Sequence, residues 1–101
     1  MQYISVRLKG DSEMKQSKVT VTSASGLHAR PAGLLCGLAQ KFGAEIYIEK
    51  DGKSINGKSI MGILSLGTSM GDELIISADG SDEQEAVTAI VELFETKLAH
   101  V

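Results

Sequence analysis

The chain is a small acidic sequence of 101 residues with a formal net charge of −3 at pH 7. Its length suits one domain, and 43% hydrophobic against 23% charged residues argues against a disordered chain. The acidic balance gives no general attraction for nucleic acid, and no apolar run approaches the roughly 20 residues that cross a bilayer. The start shows no signal-peptide pattern, and the single Cys36 forms neither an internal disulfide nor a metal cluster. We therefore expect a cytoplasmic domain without direct nucleic-acid contact, membrane insertion or a metal site.

The predicted elements of the first half are a strand, a helix and a hairpin. Residues 18–23 alternate valine with polar residues, as a half-buried strand does. Apolar spacing then predicts a helix over residues 29–42, with a proline in its first turn and Gly43 as its C-cap. Residues 44–50 and 53–56 predict two strands joined by an Asp-Gly turn.

The second half adds a helix, a strand and a helix. Ser59 is placed as the N-cap of a short amphipathic helix, which Gly67 ends. Residues 73–78 predict a strand, and residues 83–98 predict the final helix. The order β-α-β-β-α-β-α predicts an α+β domain over residues 17–101, with its helices on one face of an antiparallel sheet.

Residues 1–16 precede an already complete pattern, so we expect them to form an N-terminal extension. Ile4 and Val6 alternate with polar residues, which indicates an additional strand. The alternative is that translation begins at Met14, because residues 9–11 can be encoded by AAA-GGA-GAT, a purine-rich string like a ribosome-binding sequence. Both interpretations remain open from the sequence.

Residues 26–32, Gly-Leu-His-Ala-Arg-Pro-Ala, combine a nucleophile with groups that bind an anion. His28 lies at a predicted helix start, where free amides and the positive end of the helix dipole favour phosphate. Its imidazole is a nucleophile near neutral pH, and the guanidinium of Arg30 can hold phosphate oxygens. The pattern predicts a phosphohistidine site, and the simpler alternative is a loop or capping histidine with no task.

Residues 58–62, Lys-Ser-Ile-Met-Gly, form a second motif. Ser59 is most simply an N-cap, although a phosphate would also be tolerated there because negative charge suits a helix N-terminus. Ile60, Met61 and Leu64 either pack in the core or offer an adaptable apolar surface to a partner.

Together the two motifs resemble the HPr family, the histidine-containing phosphocarriers of the bacterial phosphotransferase system, in its Gram-positive type. The resemblance covers residues 17–98 and includes the longer stretch 58–67 and the Ala-Asp-Gly-Ser-Asp-Glu of residues 78–83. It implies an open-faced β-sandwich, in which four antiparallel strands carry three helices on one face.

The resemblance also implies a role for the first motif. His28 would take a phosphoryl group at Nδ1 from phosphorylated enzyme I and pass it to IIA domains of sugar permeases, with Arg30 as the phosphate clamp. Leu27 and Ala29 would contact these partners. Such a protein is a carrier rather than an enzyme, and it needs no cofactor because its phosphoryl group comes from phosphoenolpyruvate through enzyme I.

For the second motif, the Gram-positive form implies that HPr kinase/phosphorylase modifies Ser59. The serine-phosphorylated form would bind a catabolite-control repressor near Ile60, Met61 and Leu64. A dianion at Ser59 would also oppose docking on enzyme I.

Two alternative roles lie within the same family. The chain could be a corepressor that acts only through phosphorylated Ser59, but close relatives of that kind lack the histidine that is present here as His28. It could also serve a nitrogen-related or dihydroxyacetone pathway. Gly37 departs from the family pattern, in which a polar or basic residue is common, and Cys36 is expected to be an inert thiol in the core.

Overall fold

The computed structural model describes residues 3–7 and 13–99 of the chain. The strands are β1 (Tyr3–Arg7), β2 (Glu13–Thr20), β3 (Glu45–Lys50), β4 (Lys53–Asn56) and β5 (Glu73–Asp79). The helices are α1 (Ala29–Ala39), α2 (Ile60–Ser65) and α3 (Glu83–Glu95), and a 3₁₀ turn follows at Lys97–Ala99. Within these described ranges, no helix is long and apolar enough to span a bilayer.

The strands form one antiparallel sheet in the order β1-β2-β5-β3-β4. The central strand β5 pairs with β2 on one side, where Val19 lies opposite Leu74, and with β3 on the other, where Ile48 lies opposite Ile76. The predicted α+β fold, an open-faced antiparallel sheet with three helices, is confirmed. The four predicted strands correspond to β2, β3, β4 and β5.

The described residues of the N-terminal extension add β1 at the sheet edge. β1 pairs with β2 from Tyr3 opposite Ser17 to Arg7 opposite Glu13. This strand corresponds to the additional strand that the alternation of Ile4 and Val6 indicates. β2 begins at Glu13 rather than at residue 18, because its ladder with β5 continues to Lys15 and its ladder with β1 continues to Glu13. The domain boundary at residue 17 and the start of translation stay predictions, and residues 8–12 lie outside the described residues.

The core lies between the sheet and the helices. Alternate strand residues and one side of each helix are buried together, so period-2 and period-3.6 patterns converge on the same space. Burying each large aliphatic side chain stabilises the fold by about 1.5–3 kcal/mol. The largest buried aliphatic side chains are Leu35, Ile46, Ile48, Ile63, Leu74, Ile76 and Ile90.

α1 ends at Ala39, three residues before the predicted end at residue 42. The amides that follow Gln40 make tighter i→i+3 bonds, at 3.0 and 3.2 Å, which close the last turn. Gln40 is the C-cap, and Gly43, the predicted cap, instead donates its amide to Oδ2 of Asp82 at 2.9 Å.

α3 ends at Glu95 and is also shorter than the prediction to residue 98. At the end of the helix, the hydroxyl of Thr96 donates to the carbonyl of Glu92 at 2.7 Å. The 3₁₀ turn then carries Leu98, which is 2% exposed, into the core, so the apolar pattern extends beyond the helix itself.

Candidate functional site

His28 is the N-cap of α1 and has an extended backbone, with φ −85° and ψ −168°. Its carbonyl accepts the amide of Ala32 at 2.9 Å, the first hydrogen bond of the helix. Its imidazole is exposed and makes no capping hydrogen bond to the helix end. The predicted position of His28 at a helix start is therefore confirmed, and the ring is available to a reaction partner.

The first turn of α1 leaves two amides for an anion. Ala29 and Arg30 have no acceptor within the helix, Pro31 carries no N–H, and the amide of Ala32 is already bonded. The turn contains no acidic side chain, and Arg30 is exposed without a salt bridge to any residue in the described ranges. The residues around His28 therefore present two N–H donors, the positive end of the helix dipole and a cation.

The two neighbours of His28 have different surroundings. Ala29 is exposed, as expected of a residue that contacts partners. Leu27 is only 6% exposed and belongs to the core cluster. Its side chain therefore supports the site from inside the domain, and the predicted partner contact of Leu27 stays a prediction.

The loop that leads into His28 rests on a distant segment. The amide of Leu27 donates to Oγ1 of Thr68 at 2.9 Å, across 41 positions of sequence. Gly26 has φ +68°, and a side chain there would overlap the carbonyl oxygen of Thr68. Thr68 carries no motif signal, so the sequence interpretation did not find this contact.

Ser59 is the N-cap of α2, as the sequence predicts. Its backbone is extended, with φ −111° and ψ 115°, and its Oγ accepts the amide of Gly62 at 3.1 Å. The side chain is half-buried. The capping role is therefore confirmed, whereas phosphorylation of Ser59 stays a prediction.

The apolar residues that follow Ser59 are exposed at the surface. Ile60, Met61 and Leu64 are 40%, 72% and 38% exposed. Leu34 on α1 is also 40% exposed. We call these four residues the α1–α2 surface, because Ile60 lies beside α1, with its Cδ1 3.9 Å from where a Cβ of Gly33 would be.

Hydrogen bonds join α1 to the residue that precedes Ser59. The Cys36 thiol and the Gln40 amide group both donate to the carbonyl of Lys58, each at 3.2 Å. The ammonium of Lys58 donates to the carbonyl of Phe42 at 2.7 Å. Cys36 is 8% exposed, which confirms its place in the core, and these contacts join the C-terminal part of α1 to the residue before α2.

Two carboxylates near these elements titrate below their usual range. The amide of Ser69 and the ammonium of Lys50 lower the pKa of Asp72. The amide of Gly43, followed by that of Ala44, lowers the pKa of Asp82. Both therefore remain ionised at neutral pH and hold loops through charge-assisted hydrogen bonds.

A sequence profile described as "PTS HPr component phosphorylation site" matches residues 15–96. This range is most of the chain and contains both motifs together with all three helices. With the antiparallel sheet and the exposed histidine at the start of α1, the match defines the class of protein. The chain belongs to the HPr family of phosphotransferase-system components.

The proteins that are similar to this chain include some named Crh and some named HPr. It is 45% identical over 82 residues to the HPr-like protein Crh of Halalkalibacterium halodurans, covering 81% of this chain and 98% of that protein. It is 50% identical over 74 residues to the HPr-like protein Crh of Bacillus subtilis, covering 73% and 87%. The crystal structure of HPr-C-His from Thermoanaerobacter tengcongensis matches with a TM-score of 0.79 at 48% identity, covering 82% of this chain and 93% of that one. The role within the family must therefore be argued from the site.

Proposed function

We propose that this chain is a phosphocarrier that receives a phosphoryl group on His28 from phosphorylated enzyme I and delivers it to IIA domains of sugar permeases in the cytoplasm. One observation carries the proposal. The imidazole of His28 is exposed and makes no capping bond, beside the free amides of Ala29 and Arg30 and a guanidinium that pairs with no carboxylate among the described residues. A histidine with only a capping role would not need these neighbours.

Each step of the proposed phosphoryl transfer uses these groups. A nitrogen of the neutral imidazole of His28 forms a bond to phosphorus as the bond between phosphorus and enzyme I breaks. The phosphoryl oxygens accept hydrogen bonds from the backbone amides of Ala29 and Arg30 and from the guanidinium of Arg30. The reverse exchange at a IIA domain frees the ring. Phosphoenolpyruvate supplies the phosphoryl group through enzyme I, so the proposal includes no resident cofactor.

We also propose that Ser59 regulates this exchange when HPr kinase/phosphorylase phosphorylates it. A phosphate is compatible with the N-cap position, because it adds negative charge where the dipole of α2 is positive. The exposed Ile60, Met61 and Leu64 lie directly beside it and offer apolar contacts to a catabolite-control repressor. The same charge would oppose enzyme I if enzyme I docks on the α1–α2 surface.

A second candidate is a corepressor that acts only through phosphorylated Ser59. The two relatives named Crh, at 45% and 50% identity, favour it, as does the exposed apolar surface beside Ser59. The phosphocarrier role is preferred because the complete set of groups around His28 has no use in a corepressor.

The experiment mixes the purified protein with phosphoenolpyruvate and a Gram-positive enzyme I and records intact mass and acid lability. A single acid-labile phosphate that is absent from His28→Ala supports the phosphocarrier. If no phosphate is transferred while a known carrier in the same tube is phosphorylated, the corepressor becomes the better proposal. Binding of the serine-phosphorylated protein to a repressor then tests that second role.

A further inference from the structure

The chain that enters α1 is fixed at Leu27 in two ways. The amide of Leu27 donates to Oγ1 of Thr68 at 2.9 Å, and its side chain is buried in the core. The preceding residue, Gly26, lies against the backbone of Thr68 so closely that no side chain would fit. Thr68 therefore contacts the loop before His28 through both its hydroxyl and its carbonyl.

The loop of residues 67–72, which contains Thr68, is itself held at both ends by Lys50. The ammonium of Lys50 donates to the carbonyl of Gly67 at 3.0 Å and pairs with Oδ2 of Asp72 at 3.2 Å. The Lys50 and Asp72 side chains are only 19% and 30% exposed, so solvent screens their interaction incompletely. The carboxylate of Asp72 also accepts the amide of Ser69 at 2.8 Å.

The 67–72 loop also holds the other end of the connection between β2 and α1. The amide of Val21 donates to the carbonyl of Asp72 at 2.9 Å, and the amide of Gly71 donates to the carbonyl of Val21 at 2.7 Å. The connection is thus bonded to one loop at Val21 and again at Leu27. The direction in which the chain reaches His28 depends on that loop.

We infer that Thr68 is a positioning residue for phosphoryl transfer at His28. Its hydroxyl oxygen holds the Leu27 amide, so the next residue directs its imidazole toward the same phosphate that the amides of Ala29 and Arg30 bind. The inference rests on the proposed phosphocarrier function and adds a residue to it. Transfer depends on this alignment, because a displacement of about 1 Å can cost on the order of a hundredfold in rate.

The test compares Thr68→Val, which keeps the side-chain shape but loses the acceptor, with Thr68→Ser, which keeps the acceptor. We expect Thr68→Val to lower kcat/KM for transfer from enzyme I about tenfold. The loss should fall on kcat rather than KM, because the α1–α2 surface is unchanged. We expect Thr68→Ser to restore most of the rate, and hydrogen exchange at the Leu27 amide should accelerate only in Thr68→Val.

Thr88→Val is the matched control, because it also removes a hydroxyl that accepts a hydrogen bond, from Gln84 at 3.3 Å on α3. If Thr68→Val does not fold, Thr68→Ala removes the same hydroxyl with less bulk. A folded variant without the hydroxyl that transfers at the wild-type rate overturns the inference, as does a loss that Thr68→Ser does not restore. Should the wild type itself accept no phosphate, the proposed function fails and the positioning role with it.

Discussion

The starts of α1 and α2 are similar positions with opposite uses. Both N-cap residues have extended backbones, but Ser59 turns its side chain back to the amide of Gly62, whereas His28 makes no capping bond. The side-chain cap is at the shorter helix, which gains more from it because short helices are less stable alone: α2 has only six residues, whereas α1 has eleven. At α1 the unused amides and the free ring are available to a ligand.

A third N-cap sharpens this comparison. Asp82 begins α3 without capping it, and its carboxylate instead accepts the amides of Gly43 and Ala44, each at 2.9 Å. Ser59 thus stabilises its own helix, Asp82 holds a neighbouring loop, and the side chain of His28 does neither. Only His28 leaves both its own side chain and the amides of its helix start without such a bond, and this is the physical basis for assigning phosphoryl transfer to α1.

The largest expected effect comes from removing the nucleophile at the start of α1. His28→Ala should abolish phosphoryl acceptance from enzyme I, because no other group at the helix start is a nucleophile. Its free energy of unfolding should change by less than about 0.5 kcal/mol, since the exposed imidazole makes no capping bond. Intact mass after incubation with phosphoenolpyruvate and enzyme I, together with urea unfolding, measures both quantities. Retained transfer would remove His28 from the mechanism.

Arg30→Ala tests whether the start of α1 needs a cation in addition to its amides. Loss of a charge-assisted bond to the phosphoryl oxygens should slow transfer about ten- to a hundredfold with little effect on stability. Lys41→Ala removes an exposed cation just beyond the other end of α1 and serves as the control. Equal rates for the two variants in rapid-quench kinetics would show that Arg30 contributes only general charge.

Ser59→Asp tests whether charge at the start of α2 reaches the exchange at α1. Aspartate is a good N-cap, so α2 should remain folded while the added charge weakens the enzyme I step about fivefold. One carboxylate copies a phosphate dianion only in part. Ser54→Asp adds the same charge on β4 and should leave the step unchanged. An unaltered KM for enzyme I in Ser59→Asp would contradict charge gating.

Local patterns were sufficient to predict much of this molecule. Hydrophobic alternation and turn residues predicted the order of strands and helices along the chain. The residues around His28 and Ser59 predicted two helix starts, because caps and free amides depend on neighbours in sequence. Helix ends were placed too late, since apolar residues continue into tight turns that still face the core.

The contacts that local patterns missed are all tertiary. Leu27 is buried and Leu34 is exposed, although both are leucines in or beside α1, because burial depends on which elements pack against each side chain. Thr68 supports the loop before His28 from 41 positions away, and no short motif marks such a pairing. The nucleophile and its anion-binding groups can therefore be identified from the sequence, whereas the residues that position them can be identified only from the three-dimensional structure.

The smallest expected effect concerns Asp82, the N-cap that holds a loop. Because the Gly43 and Ala44 amides lower its pKa, the folded state binds this proton less readily than the unfolded state. Its contribution to stability is thus complete above the ordinary aspartate pKa of 3.8 and is lost as pH falls through the lower folded value. Urea unfolding should show Asp82→Asn less stable than wild type at pH 7, with the gap narrowing below pH 4. Glu92→Gln at an exposed position of α3 controls for the loss of one negative charge. A gap of constant size would mean that the carboxylate charge does not hold this loop.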